Sequence, residues 1–370
     1  MNRPIQTSSA FDQLSSDIQF NCDISDARDH GIYSMCSLVL KLRNLYKWEQ
    51  QIEPWDEAES SDLLDWIEAK EHYWETLAAE DFLPLRIADR SVPADDVLTV
   101  NEHLHETRLF YGAGHGRSMK AIFFLAEIAK RLTVEGCPVV ILDRELAREM
   151  AAPFAMVQEG EVIIRSEPLR FFLWDHIQEL RSSCRSSLQF FLKCYGLLED
   201  GVLSQQKFRD VLDQMVASEL DLFIHHEVGE ICETGLSSGT LQQMISRFPG
   251  SVIEFVCRAV KDVLADTHPR GVLAHITGEE KESSLGLYVS FLDGLREELF
   301  PEMARAWKSF LQKKAWSEIE SARVHCRTRM LQLAENITEI ASTAGSGSDR
   351  QVQDRFNRDV LEGLGLAIPR

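Results

Sequence analysis

Apolar positions recur at helical spacing along most of this chain, and that periodicity sets the first expectation for the fold. Over 25–50, Met35, Leu38, Val39, Leu42, Leu45 and Tyr46 fall at helical intervals, and Pro54 closes the run. A second run over 61–79 carries Leu63, Leu64, Ile67, Trp74 and Leu77. Each predicts a helix with one buried face. From Pro168 onward the same pattern predicts helices over 168–195, 204–232, 241–248, 252–265, 285–300 and 302–340. Pro249-Gly250, His268-Pro269-Arg270-Gly271 and Pro301 separate several of them.

The middle of the chain is mixed. Residues 118–132 are apolar and predict a further helix, opened by the glycine-rich stretch 112–116. Short runs at 139–142, 154–158 and 161–165 read as strands, and Glu159-Gly160 is a tight-turn dipeptide joining the last two. A helix over 143–151 is expected between the first strand and that hairpin. The fold class predicted is therefore mainly α. It is a multi-helix, bundle-like body with one small β element, a hairpin plus a short strand, near 138–165. The expected organisation is a loose N-terminus (1–20), an N-terminal helical subdomain (21–92) and a main body (93–341). A flexible linker (342–349) and a short terminal helix (350–370) follow.

The chain has 370 residues, enough for one large or two ordinary domains, and its 44% hydrophobic content is that of a globular protein. Acidic residues outnumber basic ones 59 to 39, for a net charge of −20. Such a surface repels phosphate backbones and anionic lipid, which argues against nucleic acid and membrane as partners. Eight cysteines with no C-x-x-C pair, most inside apolar patterns, fit a reducing compartment. With no basic head and apolar run at the start, and no stretch long enough to span a bilayer, the expected location is the cytoplasm.

One short segment carries candidate chemistry. His226, Glu227 and Glu230 form an H-E-x-x-E cluster inside the helix predicted over 204–232. One turn separates His226 from Glu230, so both can reach one point, as two metal ligands must. Glu227 falls within the apolar face of Leu220, Phe223, Ile224, Val228 and Ile231, where a carboxylate has to be paired, protonated or metal-bound. The pattern resembles the thermolysin-like H-E-x-x-H zinc helix, with Glu230 where that helix has its second histidine. Carboxylate in place of imidazole hardens the site, moving the expected divalent metal from zinc toward manganese or iron. Glu254 is taken as the third ligand, with His268 and His275 as alternatives. Glu227 would then act as general base on metal-bound water. The bland reading is an ordinary His–Glu helix pair, worth about 0.2–0.5 kcal/mol when exposed.

A second candidate is an anion site. Gly112, Gly114 and Gly116, with Arg117 and Ser118, precede the helix expected over 118–132, so backbone N–H groups could receive a negative group. The spacing is one residue short of a phosphate-binding Walker loop, and no βαβ unit surrounds it. Glu102 and His105 have E-x-x-H spacing, but the chain has no second such pair for a di-iron site. Asp23, Asp26 and His30 cluster at a helix start, where capping explains them.

Several phrases are familiar. Asn21-Cys22-Asp23-Ile24-Ser25-Asp26-Ala27-Arg28 and Leu42-Arg43-Asn44-Leu45-Tyr46-Lys47-Trp48-Glu49 resemble a family of uncharacterised bacterial, proteobacterial proteins, as do 112–120, 225–230 and Val260-Lys261-Asp262. The resemblance reaches to about residue 300 and implies a single unit in a bacterial cytosol. It transfers no catalytic residue. Two functional classes follow: a divalent-metal-binding protein, extending to a metal-dependent hydrolase, or a non-catalytic helical interaction or regulatory protein. The second would bind a basic or helical partner through its acidic surface and its front section, which holds Trp48, Trp55, Trp66 and Trp74.

Overall fold

A computed structural model of the chain describes residues 9–87, 90–179, 186–344 and 348–366. The chain divides into two compact units, one of residues 1–133 with 138–178, the other of 134–137 with 179–370.

Unit 1 begins with α1 (Ser9–Asp29), α2 (Met35–Glu49) and α3 (Ser60–Leu77). Residues 9–20, expected to be loose, are helical, and Leu14 and Ile18 are buried. The single helix expected over 25–50 is broken by a 3-10 turn at His30–Ile32, after which the Ser34 hydroxyl caps α2 by accepting the Ser37 N–H. A short hairpin, β1 (Leu85–Ile87) with β2 (Arg90–Val92), and α4 (Val97–Leu104) lead into the sheet.

The sheet corrects the fold expectation. Strands β3 (Leu109–His115), β4 (Ala121–Val134), β5 (Cys137–Arg148), β6 (Ala155–Gln158) and β7 (Glu161–Arg165) form one five-stranded mixed sheet, in the order β3-β4-β5-β7-β6. β3 runs antiparallel to β4, β5 parallel to β7, and β6 antiparallel to β7. The helices expected over 118–132 and 143–151 are thus mostly strand, and the β element is far more than a hairpin plus one short strand. The reason is burial on both faces. Tyr111, Ala113, Phe123 and Leu125 pack toward Leu14, Ile18 and Cys22 of α1. Phe110, Ile122, Phe124 and Ala126 pack on the other side with Val140, Leu142 and Ile163. A strand buried on both faces loses its period-two alternation, and its unbroken apolar run imitates a helix. The hairpin at Glu159-Gly160 was read correctly, both residues having positive φ as the tight turn requires. α5 (Ser166–Glu179) closes the unit.

Unit 2 is helical apart from a two-residue hairpin, β8 (Leu198–Glu199) with β9 (Val202–Leu203). It comprises α6 (Ser186–Cys194), α7 (Gln205–Cys232), α8 (Ser238–Arg247), α9 (Val252–Thr267), α10 (Val272–Gly278) and α11 (Glu282–Ser290). α12 (Gly294–Leu299), α13 (Pro301–Lys313), α14 (Trp316–Ala344) and α15 (Asp349–Phe356) complete it. The helix expected over 302–340 is divided at Lys314, whose left-handed backbone ends α13. Residues 1–8 of the expected loose terminus and 345–347 of the expected linker lie outside the described residues.

Candidate functional site

The H-E-x-x-E segment lies on α7, and its neighbour in space is α9. Both helices carry broad apolar faces, with Phe223, Ile224 and Val228 buried on one and Val256, Val260, Val263 and Leu264 on the other. Gly229 sets how closely they cross, because a Cβ there would run into the carbonyl of Ala265. On α7, His226 and Glu230 flank Gly229. On α9, Asp262 and Asp266 lie one turn apart around Ala265. The close crossing brings these two pairs together.

One ligand atom each from His226, Glu230 and Asp262 lie within 4.8 Å of one another. The Nδ1 of His226 is 2.7 Å from Oδ1 of Asp266, and its Nε2 is 3.8 Å from Oε1 of Glu230. Asp266 is buried and accepts two further hydrogen bonds on Oδ2, from Arg296 of α12 at 2.6 Å and the Tyr288 hydroxyl of α11 at 3.0 Å. Lys261 donates to Oε2 of Glu230 at 2.5 Å. His226 and Glu230 keep 22% and 18% side-chain exposure, so the cluster reaches the surface at its outer edge.

The charges of the cluster shape one another. Burial opposes ionisation of Asp266, but Arg296 and His226 outweigh it and hold the carboxyl at about 2. Burial likewise works against the imidazolium of His226, yet Asp266 raises it to about 10. Burial pushes Glu227 up to about 8, and it also raises Asp262.

The other residues singled out from the sequence fall elsewhere. Glu254 is buried in the first turn of α9, where it accepts from the Gly250 N–H at 2.7 Å and from Arg258 at 2.9 Å. It lies eight residues before Asp262, about 12 Å along the helix, and does not join the cluster. His268 accepts the Arg270 N–H within its own turn, and His275 stacks on His225 with ring centroids 3.9 Å apart. The third carboxylate beside His226 and Glu230 is Asp262. The pairing of Asp262 with Asp266 was visible in the chain as acids one turn apart, but their meeting with α7 was not.

The expected anion loop is not a loop before a helix. Gly112 and Gly114 are strand residues of β3 paired with Phe124 and Ile122, and Gly112 is where the Phe124 ring crosses the neighbouring strand. The Gly116 N–H donates to the Lys120 carbonyl at 2.8 Å, across a turn in which Ser118 has φ 55°. These backbone groups serve the sheet, and no helix N-terminus adds to them; the Arg117 side chain lies outside the described residues. Asp26, read as a capping residue, forms a buried ion pair with Lys120 at 2.8 Å, while Asp23 pairs with Lys70 at 3.0 Å. The front tryptophans are largely packed inward: Trp74 is buried, with Trp48 and Trp66 against the same cluster.

Comparison with family models gives two matches. A family of unknown function (DUF6866) matches with its N-terminal domain over residues 13–165 and its C-terminal domain over 170–359. The chain belongs to this family. The DUF6866 N-terminal domain holds the five-stranded sheet, and the C-terminal domain holds all four helices that build the His226 cluster. No curated protein and no solved structure matches the chain. Among the described residues no helix is long and apolar enough to cross a membrane.

Proposed function

We propose that this DUF6866 protein binds a divalent metal ion through Nε2 of His226 and one carboxylate oxygen each of Glu230 and Asp262. The observation that carries the reading is the convergence of these three donors from two helices to within 4.8 Å. Asp266 supports it, because a carboxylate on Nδ1 fixes the imidazole tautomer and aims the other nitrogen at an ion. Lys261 does the same for Glu230 by holding its second oxygen. One imidazole with two carboxylates is a hard donor set, which ranks manganese and iron ahead of zinc. Because His226 otherwise keeps its proton, the ion displaces that proton, and affinity rises with pH. A hydrolytic step would use Glu227 on metal-bound water. That residue is only 7% exposed, so the proposal is confined to binding.

The test is a melting and calorimetric titration of the full chain with Mn²⁺, Fe²⁺ and Zn²⁺. An ion held in the folded state alone at a hundredfold excess over Kd stabilises by about 2.7 kcal/mol, and chelator reverses it. His226→Ala and Asp262→Ala lose the effect, whereas Glu254→Ala keeps it. If no ion stabilises the wild type, or if Asp262→Ala binds as the wild type does, the reading fails.

A further inference from the structure

Unit 1 contains a cleft of about 660 Å³, in the range of small-molecule sites, which the metal reading does not use. Its walls include Trp48 and Phe171, and its charged groups are nearly all committed to one another. Lys47, fully buried, donates to the Pro54 carbonyl at 2.9 Å. Glu145 accepts from Arg165 at 2.5 Å and has Arg148 at 3.5 Å. Arg170 pairs with Glu53 at 2.9 Å, Arg144 with Glu127 at 2.6 Å and Glu49 with Lys70 at 2.8 Å.

Glu167 is the exception. It stands in the first turn of α5, and its Oε2 accepts the backbone N–H of Glu145 at 2.9 Å. Among the described residues it makes no ion pair, although it lines the same cleft. Burial and the nearby Glu145 carboxylate both push its carboxyl up, so a positive charge is what this position lacks. The aromatic wall suits a cation as well. Arg148 lies 5.1 Å from the Trp48 ring and 5.6 Å from the Phe171 ring, so these π faces already gather one guanidinium. An anion would find Arg144 and Arg170 occupied, and the net charge of −20 steers cations toward the protein.

The geometry points to a binding site for a small organic cation, an amine or guanidine, whose charged end is received by Glu167 beside Trp48 and Phe171. It is independent of the metal reading, since every lining residue belongs to unit 1 and the metal cluster to unit 2.

Isothermal titration of the full chain tests it, with agmatine and 1,4-diaminobutane as cations and 1,4-butanediol as their neutral counterpart. The cations bind saturably and the diol does not. Glu167→Gln weakens cation binding about tenfold or more, as loss of a charge-assisted hydrogen bond requires, and Glu167→Asp retains part of it. Ser16 lines the cleft and is exposed, so Ser16→Trp blocks entry without touching a buried charge and abolishes binding even if Glu167→Gln fails to fold. The proposal is overturned if no cation binds, if the diol binds as tightly, or if either the Gln or the Trp variant binds as the wild type does.

Discussion

Asp266→Asn removes one charge from the most connected carboxylate of unit 2 while keeping its shape. In the folded chain Asp266 is 1% exposed and serves His226 at 2.7 Å, Arg296 at 2.6 Å and Tyr288 at 3.0 Å. Breaking a buried ion pair from one side costs about 3–5 kcal/mol, because the partner charge stays desolvated. His226 and Arg296 retain 22% and 26% side-chain exposure, so water recovers part of that cost and the expected loss is about 3 kcal/mol. The pH dependence has a definite sign. The Asp266 carboxyl is held at about 2 against an ordinary 3.8, so its contribution is present above 3.8 and is lost as pH falls through 2. His226 is raised to about 10 from 6.5, so its contribution is full below 6.5 and is lost as pH rises through 10. The variant's deficit is therefore greatest between about pH 4 and 6.5 and shrinks toward pH 10, where only the arginine half of the interaction remains. Because the chain has two units, urea-dependent hydrogen exchange of α7 and α9 peptides, in chelator, reads this better than a global melt. A deficit under about 1 kcal/mol, or one that grows as pH rises, refutes the reasoning.

Gly229→Ala forces a Cβ against the Ala265 carbonyl, so unit 2 loses about 1–3 kcal/mol and metal uptake falls. Gly278→Ala, which meets nothing within 4 Å, melts like the wild type and serves as its control. In unit 1, burial lifts the Asp26 carboxyl from 3.8 to about 6 despite Lys120. The folded state therefore binds a proton that the unfolded chain lacks, and stability falls by about 3 kcal/mol as pH rises from 3.8 to 6. That slope disappears from urea titrations of Asp26→Asn, and its persistence would assign it to another group. Phe124 is fully buried, stacked 6.5 Å from Phe110 and 4.1 Å beneath the Arg165 guanidinium. Phe124→Ala costs about 3–5 kcal/mol in chemical denaturation of unit 1; a loss below 1 kcal/mol would contradict a two-faced central strand.

What could be read from the sequence follows from where burial is one-sided. α9 shows its buried positions Val256, Ala259, Val260 and Val263 at intervals of three and four, so its helix was legible almost to the residue. β4 hides its identity because Phe123 and Phe124 are both buried, on opposite faces. The glycines of β3 were misread for a related reason: at Gly112 the missing side chain admits a phenylalanine ring, not an anion. In the candidate site, His226 and Glu230 were found because their relation is local to one helix. Asp262 was not, since its place depends on the crossing at Gly229, and Glu254 was chosen by sequence position although its carboxylate caps the chain at Gly250.

The central claim, a metal ion shared by α7 and α9, is tested most directly by elemental analysis of the purified chain after dialysis against manganese or iron. The account predicts about one ion per chain in the wild type, and almost none in Asp262→Ala that still folds with native helicity. A metal-free wild type, or an Asp262→Ala chain that keeps its ion, would contradict it.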